Sequence, residues 1–310
     1  MSAPLVAVTG AAGFIGRAFC ERASSGGRAV RTFSRTPLRE HGDGVVVDLA
    51  HASAAAVARS LAGVATIVHL AGRAHMRGET GAQFDAAYRD ANEIGTRRLA
   101  EAALTAGVRR FIFASTVKVN GEATRPGRPF RSDDAPAPQD AYARSKAAAE
   151  AALLDTASGT SMDVVVLRLP LVYGPRARGN FRTLVDAVRK RRLLPVGAID
   201  NRRALLGIDN LLDAIDAAID APRPSGVHFV ADASSISTPQ LVRAIAAALH
   251  VEPRIAAVPV PLLQIAGVLC GRRDTVARLT DSLEVDTSSF AAATAWRARS
   301  FAIDAATVER

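Results

Sequence analysis

Val6-Ala7-Val8-Thr9-Gly10-Ala11-Ala12-Gly13-Phe14-Ile15-Gly16 opens the readable part of the chain, and a helical pattern runs on from it towards Arg22. A short apolar run, three glycines three residues apart and then a helix read as strand, tight turn and helix. Glycine there permits the turn, lets backbone N–H groups approach a pyrophosphate and allows the helix to pack on the strand, with the positive helix end towards the phosphates. Gly10, Gly13, Phe14, Ile15 and Gly16 are therefore the first candidate dinucleotide contacts. A glycine-rich turn that binds nothing could carry the same letters; the strand before it and the helix after it favour a ligand.

The alternation continues outward. Residues 6–9, 29–33, 44–47, 66–70, 111–114 and 164–169 read as strands, and 82–106 and 141–156 as helices. Strand and helix alternating at this spacing imply a parallel sheet with right-handed crossovers and helices on both faces. This is a doubly wound α/β domain, expected over residues 1–170. From 171 to 310 the rhythm loosens, with punctuation at Tyr173-Gly174-Pro175, Pro195-Val196-Gly197 and Pro222-Arg223-Pro224-Ser225-Gly226. A smaller, mostly helical substrate lobe is expected there, returning a strand at 227–230 to the sheet.

Composition supports this size of fold. The chain has 310 residues, 49% of them hydrophobic and 22% charged, which excludes both a disordered segment and a disulfide-stapled miniprotein. Cys20 and Cys270 belong to no Cys/His cluster, so neither a disulfide framework nor a metal site is expected. No basic stretch precedes the first apolar run, so no export signal is read and a reducing, cytoplasmic compartment fits. The longest apolar stretch, 258–270, is short of the roughly 20 residues of a membrane span and reads as a buried or interfacial helix.

The net charge of +9 favours acidic ligands. Without zinc-finger spacing or an RNP-like aromatic motif, and with 5% aromatic residues, no nucleic-acid partner is expected. The cluster Arg189-Lys190-Arg191-Arg192 reads as a solvated helix end, where basic side chains complement the dipole. His69 and His75, beside the fourth strand, read as packing, as do Met76 and Phe84.

The second strand ends in Phe33-Ser34-Arg35, where a ribose-binding acid is usual in such folds. Arg35 instead offers a guanidinium to a 2′-phosphate and points to NADP rather than NAD. Asp48 and Leu49, after the third strand, are placed for the adenine edge. Leu70, Ala71 and Gly72, after the fourth, can close over the middle of the cofactor.

Asp140-Ala141-Tyr142-Ala143-Arg144-Ser145-Lys146 opens a helix, and a Tyr and a Lys four residues apart share one helical face. With three tyrosines and three lysines in the chain, a chance Tyr-x-x-x-Lys has an expectation of only about 0.03. Upstream, Ser115 and Thr116 end a strand at its carboxyl tip, where open α/β sheets place ligands. Thr116 is the candidate third member with Tyr142 and Lys146.

These marks together resemble the extended short-chain dehydrogenase/reductase family, in its nucleotide-sugar epimerase and dehydratase group. The matching motifs are the glycine run at 9–16, Asn92-Glu93-Ile94-Gly95-Thr96, Ser115-Thr116, Tyr142 with Lys146, and Arg168-Leu169-Pro170-Leu171-Val172-Tyr173-Gly174-Pro175. Thr294-Ala295-Trp296 is a looser echo of the family's Leu-Gly-Trp element. The resemblance implies a Rossmann sheet binding NAD(P), with Asn92, Ser115 and Pro170 among the cofactor contacts. It implies Tyr142 as acid/base on the sugar, Lys146 on the nicotinamide ribose, and Thr116 orienting the substrate oxygen. A free tyrosine titrates near 10, and the Lys146 ammonium together with a positively charged nicotinamide nearby is expected to bring Tyr142 lower.

Dehydratases of this family carry an Asp-Glu pair directly after the catalytic hydroxyl residue, and here those positions are Val117 and Lys118. A dehydratase is therefore disfavoured. The chain is similar to bacterial surface-polysaccharide enzymes of the UDP-glucose 4-epimerase type, which makes a UDP-sugar 4-epimerase the expected activity. A 4-ketoreductase of a UDP-4-keto-6-deoxy-hexosamine uses the same three residues, and a non-catalytic dinucleotide sensor would need only the glycine loop. For the nucleotide-diphosphate sugar, the resemblance implies Asn180 and Arg203 at the phosphates, with Arg278 a further candidate. It also implies a homodimer paired through the helices at 82–106 and 141–157.

Overall fold

The computed structural model describes residues 4–38, 43–73 and 81–309, so His75 and Met76 lie outside the described residues. The strands are β1 (Leu5–Thr9), β2 (Val30–Ser34), β3 (Gly44–Val46), β4 (Val64–His69), β5 (Arg110–Thr116), β6 (Asp163–Leu169), β7 (Leu171–Tyr173), β8 (Leu205–Gly207) and β9 (Gly226–Phe229). The helices are α1 (Phe14–Ser25), α2 (Ala54–Ser60), α3 (Ala82–Tyr88), α4 (Gly95–Thr105), α5 (Ala141–Ala157), α6 (Asn180–Arg189), α7 (Ile208–Asp220), α8 (Thr238–Ala248), α9 (Val260–Leu269), α10 (Arg273–Thr280), α11 (Ser288–Thr294) and α12 (Ala305–Val308).

Seven strands pair in parallel in the order β3-β2-β1-β4-β5-β6-β9, while β7 and β8 pair separately. The doubly wound sheet is present as expected. Val6 faces Val30 of β2 on one side and Thr66 of β4 on the other. The winding therefore reverses at β1, and the crevice beyond the carboxyl ends of β1 and β4 is the place for a ligand.

Side-chain alternation builds the two cores. In β5, Ile112 points to one face with Val6, Val8, Val68 and Val165, where α1 and α7 deliver Phe19, Leu211 and Ile215. Phe111 and Phe113 point to the other face with Ala7, Ile67 and Val166, where α2, α4 and α5 deliver Val57, Leu99 and Leu153. Both faces are covered, which is why these strands read as continuous apolar runs rather than alternating ones. A third cluster, built from Phe181, Val185, Leu205, Val242 and Ile245, holds the C-terminal part.

One expectation is corrected and another narrowed. The helix read over 82–106 is interrupted by a π-helical turn at Arg89–Ile94, a local widening common at functional sites. The apolar stretch at 258–270, expected as a buried or interfacial helix, becomes α9, whose Leu262, Ile265, Val268 and Leu269 are exposed, which leaves the interfacial alternative. Among the described residues no helix is long and apolar enough to cross a membrane.

Candidate active site

The glycine loop is built by close approach. Gly10 adopts φ +69°, and a Cβ on it would lie 2.6 Å from the Ala71 nitrogen; one on Gly16 would lie 2.2 Å from the Gly10 carbonyl oxygen. Neither position admits a side chain. Gly13 donates its N–H to the Gly10 carbonyl at 2.8 Å, and α1 then starts at Phe14 with no capping side chain. A cradle that a methyl group would fill, facing open N–H groups of a first helical turn, fits the pyrophosphate of a dinucleotide.

A buried polar relay holds this loop. Ala71 N–H donates to Thr9 Oγ1 at 3.1 Å, and Thr9 Oγ1 lies 2.6 Å from His69 Nδ1. His69 Nε2 lies 2.9 Å from Thr96 Oγ1, and that hydroxyl donates to the Asn92 carbonyl at 2.5 Å. The sequence of donors assigns the proton of His69 to Nε2. Burial, followed by the charge of Lys146, pushes His69 down to about 3. His69 is thus a neutral structural link stacked on Phe113, in keeping with its reading as packing.

The Asn92 amide is fully engaged. Its Oδ1 accepts from Arg73 N at 2.8 Å, and its Nδ2 donates to the Arg73 carbonyl at 3.1 Å and to Ser145 Oγ at 2.9 Å. The π-helical turn swings Asn92 between the segment after β4 and the helix carrying Tyr142. Its side chain fixes the segment that follows β4. Ser115, likewise expected at the cofactor, turns its hydroxyl to the Glu150 carboxylate.

Arg35 is exposed directly after β2, and its charge acts on Asp48. Slight burial works against ionisation of Asp48, but hydrogen bonds from Ala50 and His51 and the Arg35 charge hold its carboxyl below the usual range. Leu49 lies against Gly95, where a Cβ would be 3.7 Å away. Pro170 is buried between β6 and β7.

On α5, Asp140 caps the first turn by accepting from Ala143 N at 2.7 Å. Tyr142 and Lys146 follow one turn apart. The Thr116 hydroxyl hydrogen-bonds the Tyr142 phenol, so the end of β5 and the start of α5 meet at one oxygen. Lys146 Nζ donates to the Ala114 carbonyl at 2.6 Å and stands 3.9 Å from the Phe113 ring centroid. Tyr88 stacks edge-on against Tyr142 with centroids 6.0 Å apart, and the Arg73 guanidinium covers Tyr88.

The charges differ from expectation. Burial pushes Tyr142 up to about 12, Asp140 and Tyr88 act in the same direction, and the Thr116 hydrogen bond opposes them. Burial brings Lys146 down to about 7, with Glu150 drawing it back up. The phenol is therefore raised in this structure, not lowered. The physical reason is burial of the phenol itself, which disfavours its charged form.

Behind α5, Glu150 meets Arg168 at 2.6 Å with both side chains buried, and Arg168 also donates to Asn120 Oδ1 at 2.8 Å. Towards the mouth, Lys118 Nζ lies 2.7 Å from both Glu122 and Asp140. Arg203 donates to the Asp281 carbonyl at 3.1 Å. Burial lowers its pKa first of all; Asp281 and Glu122 oppose that, and Arg278 reinforces it. Arg203 and Arg278 are thus neighbours in one electrostatic environment. Asn180 is exposed as the first residue of α6. A cleft of about 1050 Å³ lined by Gly13, Phe14, Arg17, Arg176 and Arg178 borders the start of α1 and includes none of Thr116, Tyr142 and Lys146.

Sequence reasoning missed Thr9, Thr96, Tyr88, Glu150 and the positive role of Lys118. The signal for Glu150 was available: it stands one further turn beyond Lys146 on the same helix face. The others act through contacts between distant segments.

Residues 6–231 match the NAD dependent epimerase/dehydratase family. The UDP-glucose 4-epimerase of Vibrio cholerae is 41% identical over 233 residues, covering 74% of this chain and 71% of that protein. The 2-alkyl-3-oxoalkanoate reductase of Stenotrophomonas maltophilia (strain K279a) is 30% identical over 287 residues, 88% of this chain and 84% of that protein. The solved structure of MoeE5 in complex with UDP-glucose and NAD superposes with a TM-score of 0.76 at 26% identity, covering 96% of this chain and 94% of that one.

Proposed function

Because the chain belongs to the NAD dependent epimerase/dehydratase family, we propose that it interconverts a UDP-sugar and its C4 epimer. The observation that carries this reading is the Thr116–Tyr142 hydrogen bond, one helical turn from Lys146 and at the carboxyl end of β5, next to the β1/β4 switch point. Support also comes from the likeness to a UDP-glucose 4-epimerase and to a fold that holds UDP-glucose and NAD.

When bound, NAD supplies reversible redox chemistry at the sugar carbon. Gly10, Gly13, Phe14, Ile15 and Gly16 would hold its pyrophosphate, Asp48 and Leu49 its adenine end, and Leu70, Ala71 and Gly72 its middle, with Lys146 at the ribose and Pro170 alongside. Tyr142 Oη takes the proton of the sugar 4-hydroxyl and returns it. The Thr116 O–H donates to that oxygen and steadies its negative charge. Held near 12, the phenol carries a proton that must leave to solvent before Tyr142 Oη can accept the sugar's, and the protonated fraction of Lys146, one turn away, favours that ionisation. Asn180, Arg203 and Arg278 receive the diphosphate, with Arg203 suited by its planar fork. Val117 and Lys118 supply no acid pair, so loss of the C6 hydroxyl is not part of the reaction.

In this reading residues 1–170 carry the dinucleotide, 171–310 bind the sugar nucleotide, and two copies pair through α4 and α5, whose Leu154 is exposed. The protein resides in the cytoplasm, a placement supported by its free cysteines. A second reading, a 4-ketoreductase using NADPH, is supported by Arg35, exposed directly after β2 and able to pair with a 2′-phosphate. Its partner Asp48 weighs towards NAD.

The test is to incubate the protein with NAD and UDP-glucose or UDP-N-acetylglucosamine while following C4 stereochemistry by NMR and the absorbance of reduced nicotinamide. Inversion without net absorbance change is expected. Inertness towards every UDP-sugar, or stoichiometric consumption of NADPH with a 4-keto sugar, overturns the epimerase reading. Titration of both dinucleotides against Arg35→Ala decides the cofactor.

A further inference from the structure

One apolar surface has no place in this chemistry. Along α9, Leu262, Ile265, Val268 and Leu269 are 56%, 57%, 60% and 81% exposed. Their spacing sets them on one side of the helix. The inner side is fixed, because Gly267 packs so closely on α10 that a Cβ would lie 2.7 Å from Val276 Cγ2. Four large apolar side chains on one short element are a functional signal, unlike scattered exposed residues.

The flanks are basic. Gly271 turns the chain with φ +64°, and exposed Arg272 and Arg273 follow, with Asp274 the one acid beside them. Arg254 to Ala256, which lead into α9, pair with Leu194. Leu194 in turn follows exposed Arg191, Arg192 and Leu193. The hairpin also borders the mouth, since α10 carries Arg278, whose charge acts on Arg203.

We propose that α9 docks on an anionic lipid bilayer, its apolar side in the interface and Arg272 and Arg273 against headgroup phosphates. Ten residues at about 1.5 Å each reach about half of a hydrocarbon core of about 30 Å, so the helix lies on the membrane and does not cross it. A basic edge beside an apolar face is the arrangement that anionic headgroups attract. A second copy of the chain suits the surface less well. Four side chains fall short of the roughly 800 Å² per partner of a stable interface.

The test is co-sedimentation of the full chain with phosphatidylglycerol/phosphatidylcholine vesicles and with phosphatidylcholine vesicles alone. Binding to the anionic vesicles is expected, weakened by salt. At least a tenfold lower partition is expected for Ile265→Ser/Leu269→Ser and, separately, for Arg272→Glu/Arg273→Glu, whose exposed positions leave the fold intact. Turnover of a water-soluble UDP-sugar stays unchanged in both. The proposal is overturned by absence of binding to anionic vesicles, by equal binding of wild type and both variants, or by a concentration-dependent dimer that the Ile265→Ser/Leu269→Ser variant abolishes.

Discussion

Lys118 Nζ stands 2.7 Å from the Asp140 carboxylate, the group that caps α5 two residues before Tyr142. The charge of Asp140 raises the phenol, and Lys118 neutralises that charge from the other side. Lys118→Met should therefore move the limb of the pH–rate profile on which activity rises as Tyr142 ionises up by about 0.5 to 1 unit, and Asp140→Asn, which keeps a capping oxygen, should move it down by a similar amount. Measuring kcat/KM against pH for both variants checks the pair of opposite shifts; displacements of the same sign would contradict it.

Tyr142→Phe removes the oxygen that moves the proton and leaves the ring against Tyr88. Turnover should fall by about 10³-fold while dinucleotide affinity holds within about twofold, as read by fluorescence titration. Thr116→Val should cost about 10 to 100-fold in kcat, because it removes one donor to that oxygen and not the oxygen itself.

The glycines divide into packed and open positions. Gly10→Ala and Gly16→Ala place a methyl group against backbone, which should lower stability by about 1 to 3 kcal/mol and dinucleotide affinity at least tenfold. Gly27 also has φ +71° but nothing within 4 Å of a Cβ. Gly27→Ala should show only the left-handed backbone strain, about 1 kcal/mol, with binding unchanged. Urea midpoints and cofactor titrations separate the two groups.

His69 titrates at about 3 when folded against 6.5 free, so between these values the unfolded chain binds the extra proton. Its share of stability is fully present above about pH 6.5 and is lost as pH falls through that window, at no more than about 1.4 kcal/mol per pH unit. His69→Gln should flatten the dependence of the urea midpoint on pH between 6 and 4 by about one proton. Lys146, at about 7 against 10.5, behaves alike in the alkaline range, where stability is lost as pH falls from about 10.5 to about 7. Lys146→Met should accordingly raise the midpoint more at pH 7 than at pH 10.5.

What the sequence made legible is what short-range geometry dictates. Gly10, Gly13 and Gly16 announce a turn and a helix because only a missing side chain permits them, and Tyr142 with Lys146 declares a shared face by a spacing of one turn. The Thr9–His69–Thr96 relay joins segments far apart in the chain, and no local pattern marks it. The π-helical turn around Asn92 is set by what its amide must reach at Arg73 and Ser145. The apolar letters of α9 are the same for a buried and for a bare helix, and only its packing against Val276 shows which side is left uncovered. The direction of the Tyr142 shift was unreadable for a related reason, since it is burial of the phenol itself that decides it.

The sheet acquires its last strand late. Val165, Val166, Leu167 and Arg168 pair with Gly226, Val227, His228 and Phe229, and the Arg168 guanidinium lies 5.9 Å from the Phe229 ring centroid. While the ribosome is still making the stretch between them, the nascent chain carries a bare, sticky edge beside a charged pair that lacks its aromatic cover. A polypeptide released at residue 170 would be a substrate for chaperones and proteases, not a small dinucleotide-binding protein in its own right.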